Sequence, residues 1–135
     1  MSPGTIYTLL VDAMEANLPT GWTIARLNVQ FTDQGADAEF SGTYLDAGGG
    51  VQPLTTDFPD EVVEAVPTLY TARTRTGQPR ANHLQLDLTA AGQYTTAYHW
   101  DQELEDEEAH FANGGTARNW QAIRLAKYGP LPHQD

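Results

Sequence analysis

Apolar side chains recur every three to four residues at Ile6, Leu9, Leu10, Ala13 and Met14, with Asn17 on the same stripe. That spacing predicts an amphipathic helix over residues 5–18, capped by Thr5 and stopped by Pro19 and Gly21. From Trp22 to Phe31 the period drops to two, in two phases, Trp22/Ile24 and then Leu27/Val29/Phe31. The phase change near Ala25 and Arg26 predicts a strand with a bulge. Beyond the turn residues Asp33, Gln34 and Gly35, one face of a second strand carries Ala36, Ala38, Phe40, Gly42 and Tyr44. The other face carries Asp37, Glu39, Ser41 and Thr43, so an antiparallel hairpin is expected.

Gly48, Gly49 and Gly50 form a loop tip without the strand, helix and Lys, Ser or Thr context of a phosphate loop. From Asp57 onward Val62, Val63, Val66, Leu69, Tyr70 and Arg73 step with helical period. Pro67 lies inside that pattern and lacks an N–H, so the helix is expected to kink or split there. In a second hairpin over 82–100, Leu84, Leu86 and Leu88 alternate with polar residues, as do Tyr94, Thr96, Tyr98 and Trp100. Both apolar sets share one face only if residues directly opposite sum to an even number, which a loop of Ala90, Ala91 and Gly92 achieves. Leu88 then faces Tyr94, Leu84 faces Tyr98, and His83 faces His99 on the polar side. A closing helix over 116–128 is capped by Thr116, carries Trp120, Ile123 and the stem of Lys127 on one stripe, and stops at Gly129 and Pro130. The order α-β-β-α-β-β-α predicts an α+β fold, a four-stranded antiparallel sheet of two hairpins with helices on its apolar face.

A chain of 135 residues has the size of one domain and buries roughly two-thirds of its unfolded surface, so a single domain over 1–135 is expected. There is no cysteine, which excludes disulfides, thiolate metal sites and a cysteine nucleophile and suits a reducing cytoplasm. The opening residues carry no basic leader, and Asp12 and Glu15 break their apolar run, so neither secretion nor membrane insertion is expected. Eighteen acidic against seven basic side chains give a formal charge of -11, a field that repels nucleic acid and attracts basic partners.

Chemistry-bearing patterns are sparse. His83 and His99 could share a metal ion with an oxygen from Asp101, but exposed strand histidines without a fixed third ligand are more often solvated polar residues. Ser2 and Ser41 lack a base at motif spacing, and pairs among so many carboxylates arise by chance. Trp22, Trp100, Trp120 and Tyr94 could line a pocket, yet each sits on the buried phase of its element, where packing alone places it. Neither a cofactor nor an enzymatic activity is expected. The densest charge is the run over 101–108, six carboxylates in eight residues, of a kind that is usually a solvated loop or a frayed helix start.

Two stretches resemble the YezG-type immunity proteins of bacterial polymorphic toxin systems. The first runs from Gly92, Gln93 and Tyr94 through Tyr98, His99, Trp100 and Asp101, a glycine turn followed by alternating aromatics and an aromatic-Asp ending. The second runs from Asn119 and Trp120 through Lys127, Tyr128, Gly129, Pro130, Leu131 and Pro132. Pro19 and Trp22 are similar to the family's exit from its first helix. The sequence departs from the family at Pro67, which interrupts what is there a long central helix. The resemblance implies a cytoplasmic antitoxin that binds a cognate toxin, one acting on nucleic acid, and occludes its cleft with an acidic surface. The residues expected to meet the toxin are Asp101, Glu103, Glu105, Asp106, Glu107 and Glu108, followed by Asp33, Asp37 and Glu39 on the first hairpin. A small-molecule binder or enzyme using an aromatic concavity, or a secretion adaptor of the same system, are the alternative readings.

Overall fold

The computed structural model describes residues 1–129, and its chain falls into two compact units, Met1–Trp100 and a second that begins at Asp101. The stop signal at Pro130, the Leu131 and Pro132 part of the closing motif, and His133 lie outside the described residues. No helix among the described residues is long and apolar enough to cross a membrane.

In the first unit the elements run α1 (Pro3–Ala16), β1 (Ile24–Thr32), β2 (Asp37–Leu45), β3 (Val51–Pro53), α2 (Asp60–Ala65), α3 (Thr68–Arg75), β4 (His83–Thr89) and β5 (Tyr94–His99). The fold is α+β with an antiparallel sheet in the order β3-β2-β1-β4-β5, five strands where four are expected from the sequence. The additional strand follows the glycine loop. Asp46 accepts from the N–H groups of Gly48 and Gly50 and from Gln52, which folds the tip back and lets Val51 pair with Leu45. Ala25, Leu27, Val29 and Phe31 of β1 and Leu84, Leu86 and Leu88 of β4 turn one way, onto Ile6, Leu10 and Met14 of α1 and onto Val62, Val66 and Leu69. Each large aliphatic side chain so buried contributes roughly 1.5–3 kcal/mol.

The second hairpin has the expected register: Leu88 pairs with Tyr94, Leu84 with Tyr98 and His83 with His99. Gly92 takes the left-handed conformation at φ 85°. Pro67 splits the central helix into α2 and α3. Three local readings change. Ser2, not Thr5, caps α1, accepting from the Thr5 N–H, with Pro3 in the first turn. The first strand has no bulge, because β1 pairs continuously from Ala25↔Tyr44 to Thr32↔Asp37. Ile24 therefore points to the polar face, 49 % exposed, while Trp22 precedes the strand and packs at the rim of the core. Of the four aromatics expected in the core only Trp120 is buried: Trp100 is half-buried with the Arg80 guanidinium over its ring, and Tyr94 is exposed.

The second unit pairs α4 (Gln102–Ala112) with α5 (Ala117–Tyr128). The acidic run is thus a formed helix. Asp101 caps it by accepting from the Leu104 N–H, and Glu103 and Glu105 in its first turn oppose the helix dipole favourably. Thr116 caps α5 as expected. Trp120 is its buried residue, with its ring centroid 5.7 Å from that of His110 on α4, whereas Ile123, expected on the same buried stripe, is 46 % exposed.

Candidate functional site

The outer sides of α1 and α2 converge on a groove of about 500 Å³. Asn17, at the end of α1, donates to the carbonyls of Thr55 and Asp57 at 2.9 and 3.3 Å, which holds the segment before α2 against the first helix. Phe58 on that segment is buried edge-on against Phe40, with ring centroids 5.4 Å apart. Leu9, Phe58 and Val62 make an apolar floor, and the exposed Asp12, Asp57 and Glu61 make the rim. No basic residue lines the groove. Among the described residues none of Asp12, Asp57 and Glu61, nor the neighbouring Glu15, Asp60 and Glu64, is in an ion pair. Unpaired charge of one sign beside a low-dielectric wall focuses the field outward, and the apolar floor can receive a side chain.

The carboxylates singled out from the sequence have different fates. On α4, Glu103 pairs with Arg124 of α5, and Asp106 accepts from Lys127 and Tyr128, both at 2.5 Å, and from Gln102 at 2.9 Å. Their charge is engaged within the second unit and Asp101 serves as a cap, while Glu105, Glu107 and Glu108 are half-buried. Asp37 and Glu39 lie exposed on the polar face of β2, and Asp33 opens the tight turn at φ 51°. These hairpin residues belong to the first unit and the α4 residues to the second.

The Lys127 ammonium, then Tyr128 and Gln102, hold the Asp106 carboxyl down to about 2 from its ordinary 3.8. A carboxyl whose folded value is depressed adds stability that is fully present above its unfolded value. That stability is lost as pH falls through the folded one. The Asp106 contribution should therefore disappear between about pH 4 and pH 2. The measurement is the urea midpoint of wild type against Asp106→Asn across that range. The two should differ at pH 5 and converge near pH 2, and a difference that stays constant would show that Asp106 is not the titrating group.

The His83 and His99 rings stack with centroids 5.2 Å apart and an interplanar angle of 22°. Nearly parallel rings cannot aim their lone pairs at one ion, and His83 Nε2 lies 3.2 Å from Asn28 Oδ1. Among the described residues no three His, Asp or Glu side chains gather as ligands.

No family model matches the chain, and no curated protein matches it.

The α1–α2 groove was missed from the sequence alone. Asp12 is visible there as a polar position on an amphipathic helix, and Asp57 and Glu61 as the acidic start of another. Nothing local says that the two helices lie side by side.

Proposed function

We propose that this protein is a binding module of the immunity type, which seats a basic segment of a nucleic-acid-acting toxin in the α1–α2 groove within the cytoplasm of the producing cell. The observation that carries the reading is the groove itself, with Asp12, Asp57 and Glu61 rimming an apolar floor in a chain of formal charge -11. A toxin that grips phosphates presents Lys and Arg, so carboxylates at the rim match it in sign, and an aliphatic or aromatic anchor on the floor supplies the slow dissociation that charge alone does not. Glu105 and Glu107 on α4 add to the chain's negative field.

The test is coexpression with the product of the adjacent gene, pull-down, and association rates across a salt series. Reversing Asp12 and Glu61 to Lys should slow association about tenfold at low salt, with the difference shrinking as the Debye length falls below about 10 Å. A Glu105→Lys, Glu107→Lys variant reads the share of α4. Equal rates at every salt concentration would remove the groove from the interface, and failure to retain the neighbouring product would sink the immunity reading.

A further inference from the structure

The helix-facing side of the sheet is incompletely covered over its edge strand. Tyr94 and Thr96 of β5 share the phase of the buried Leu88 and Leu86 opposite them, yet both are exposed. Beside them a cavity of about 440 Å³ opens between α1, α3 and β5, a volume within the range of small-ligand sites. Leu69 and Ala72 form its apolar wall. Its polar lining includes Tyr7, Arg73, Gln78, Thr96 and Tyr98, and no carboxylate. In a chain of formal charge -11 this is a local reversal of sign.

The cation is held in place without being neutralised. The Arg73 guanidinium carbon lies 4.0 Å from the centroid of the Tyr98 ring, and its Nε donates to the Pro79 carbonyl at 3.1 Å. No ion pair engages Arg73 among the described residues, so its Nη donors remain for another acceptor. The Tyr7 and Tyr98 hydroxyls hydrogen-bond to each other, which uses one phenolic proton and leaves the other to donate elsewhere. Burial, and then the bond to Tyr7, pushes the Tyr98 hydroxyl far above its ordinary value, so no phenolate cancels the positive charge.

We propose that this cavity binds a small oxyanion ligand, a carboxylate or a phosphate, gripped by the Arg73 guanidinium with donors from Gln78, Thr96 and the tyrosine pair. A planar guanidinium with free fork donors matches either oxyanion bidentately, and the stacked ring pre-orders it. The site shares no lining residue with the α1–α2 groove, so it does not depend on the immunity reading.

The experiment titrates the full-length chain with sodium phosphate and, separately, sodium benzoate at constant ionic strength, following ¹H–¹⁵N signals that include Arg73 Nε. Saturable shifts at Arg73, Gln78 and Thr96 are expected with at least one probe. A response to phosphate alone assigns a phosphoryl ligand, and a response to benzoate alone assigns a carboxylate seated on the apolar wall. Arg73→Met should weaken that binding about tenfold or more, the loss expected when a charged hydrogen-bonding partner is removed. Arg75→Met removes the same charge from the exposed last turn of α3 and should leave binding unchanged. If the Met variant does not fold, Arg73→Lys replaces it, and its binding should be measurably weaker because an ammonium lacks the fork. The proposal is overturned if neither probe gives saturable shifts at these residues up to roughly 10 mM. Equal weakening by both Met variants, or undiminished binding by the Lys variant, also overturns it.

Discussion

Replacing Trp120 with alanine is expected to remove about 3–5 kcal/mol of stability from the α4–α5 pair. Trp120 is 7 % exposed, and neither helix carries another buried residue among those described. Its ring lies against His110, whose Nε2 approaches the Thr116 carbonyl at 2.9 Å and so ties α4 to the cap of α5. Truncation leaves a void that two short helices cannot close without losing that tie. The ion pairs Glu103–Arg124 and Asp106–Lys127 are present with or without the ring and do not fill the volume it leaves. Amide exchange should show protection lost over residues 102–128, and calorimetry should show the destabilisation directly. A measured loss below roughly 1 kcal/mol, the scale of a surface change, would mean that Trp120 is solvated in solution.

Gly42→Ala is expected to cost about 3 kcal/mol, the upper end for forcing extra volume into a packed site. Gly42 sits on the core-facing side of β2 opposite Leu27. A Cβ there would lie 2.4 Å from the Arg26 carbonyl oxygen and 3.0 Å from Leu54 Cδ2. Leu54 could rotate away. The carbonyl cannot, because it belongs to the backbone of β1, which is paired on both sides. The substitution therefore pits one methyl group against the β1–β2 ladder. Urea unfolding should show a lower midpoint with an unchanged slope, since the same surface is exposed on unfolding. A loss below about 1 kcal/mol would show that the two strands separate locally at little cost.

Much of this architecture is visible in short stretches of sequence. A period of two over Leu84, Leu86 and Leu88 and over Tyr94, Thr96 and Tyr98 limits the register to even sums once both sets must share a face, and the three-residue loop ending at Gly92 selects the one that pairs His83 with His99. Pro67 cannot donate inside a helix, so the division between α2 and α3 is a local matter. The same holds for the Thr116 cap and the left-handed Gly92. The phase of β1 was less legible because Trp22 and Ile24 are as apolar as the true inward set. Pairing with both β2 and β4 decides between the two phases and sends Ile24 outward.

The functional surfaces depended on contacts between residues far apart in the chain. Six carboxylates in eight residues read as a solvated segment until Arg124 and Lys127, each 21 residues from its partner, engage Glu103 and Asp106 and turn the run into one half of a helix pair. The groove needs Asp12 beside Asp57 and Glu61, and the cationic cavity needs Tyr7 beside Tyr98, a separation of 91 residues. By itself the sequence determined α1, the two hairpins, the break at Pro67 and the Thr116 cap, because periodicity and caps act within a few residues. Only the tertiary structure decided where charge stays unpaired and where a cavity opens, because electrostatics and packing depend on distance in space, which local pattern does not encode.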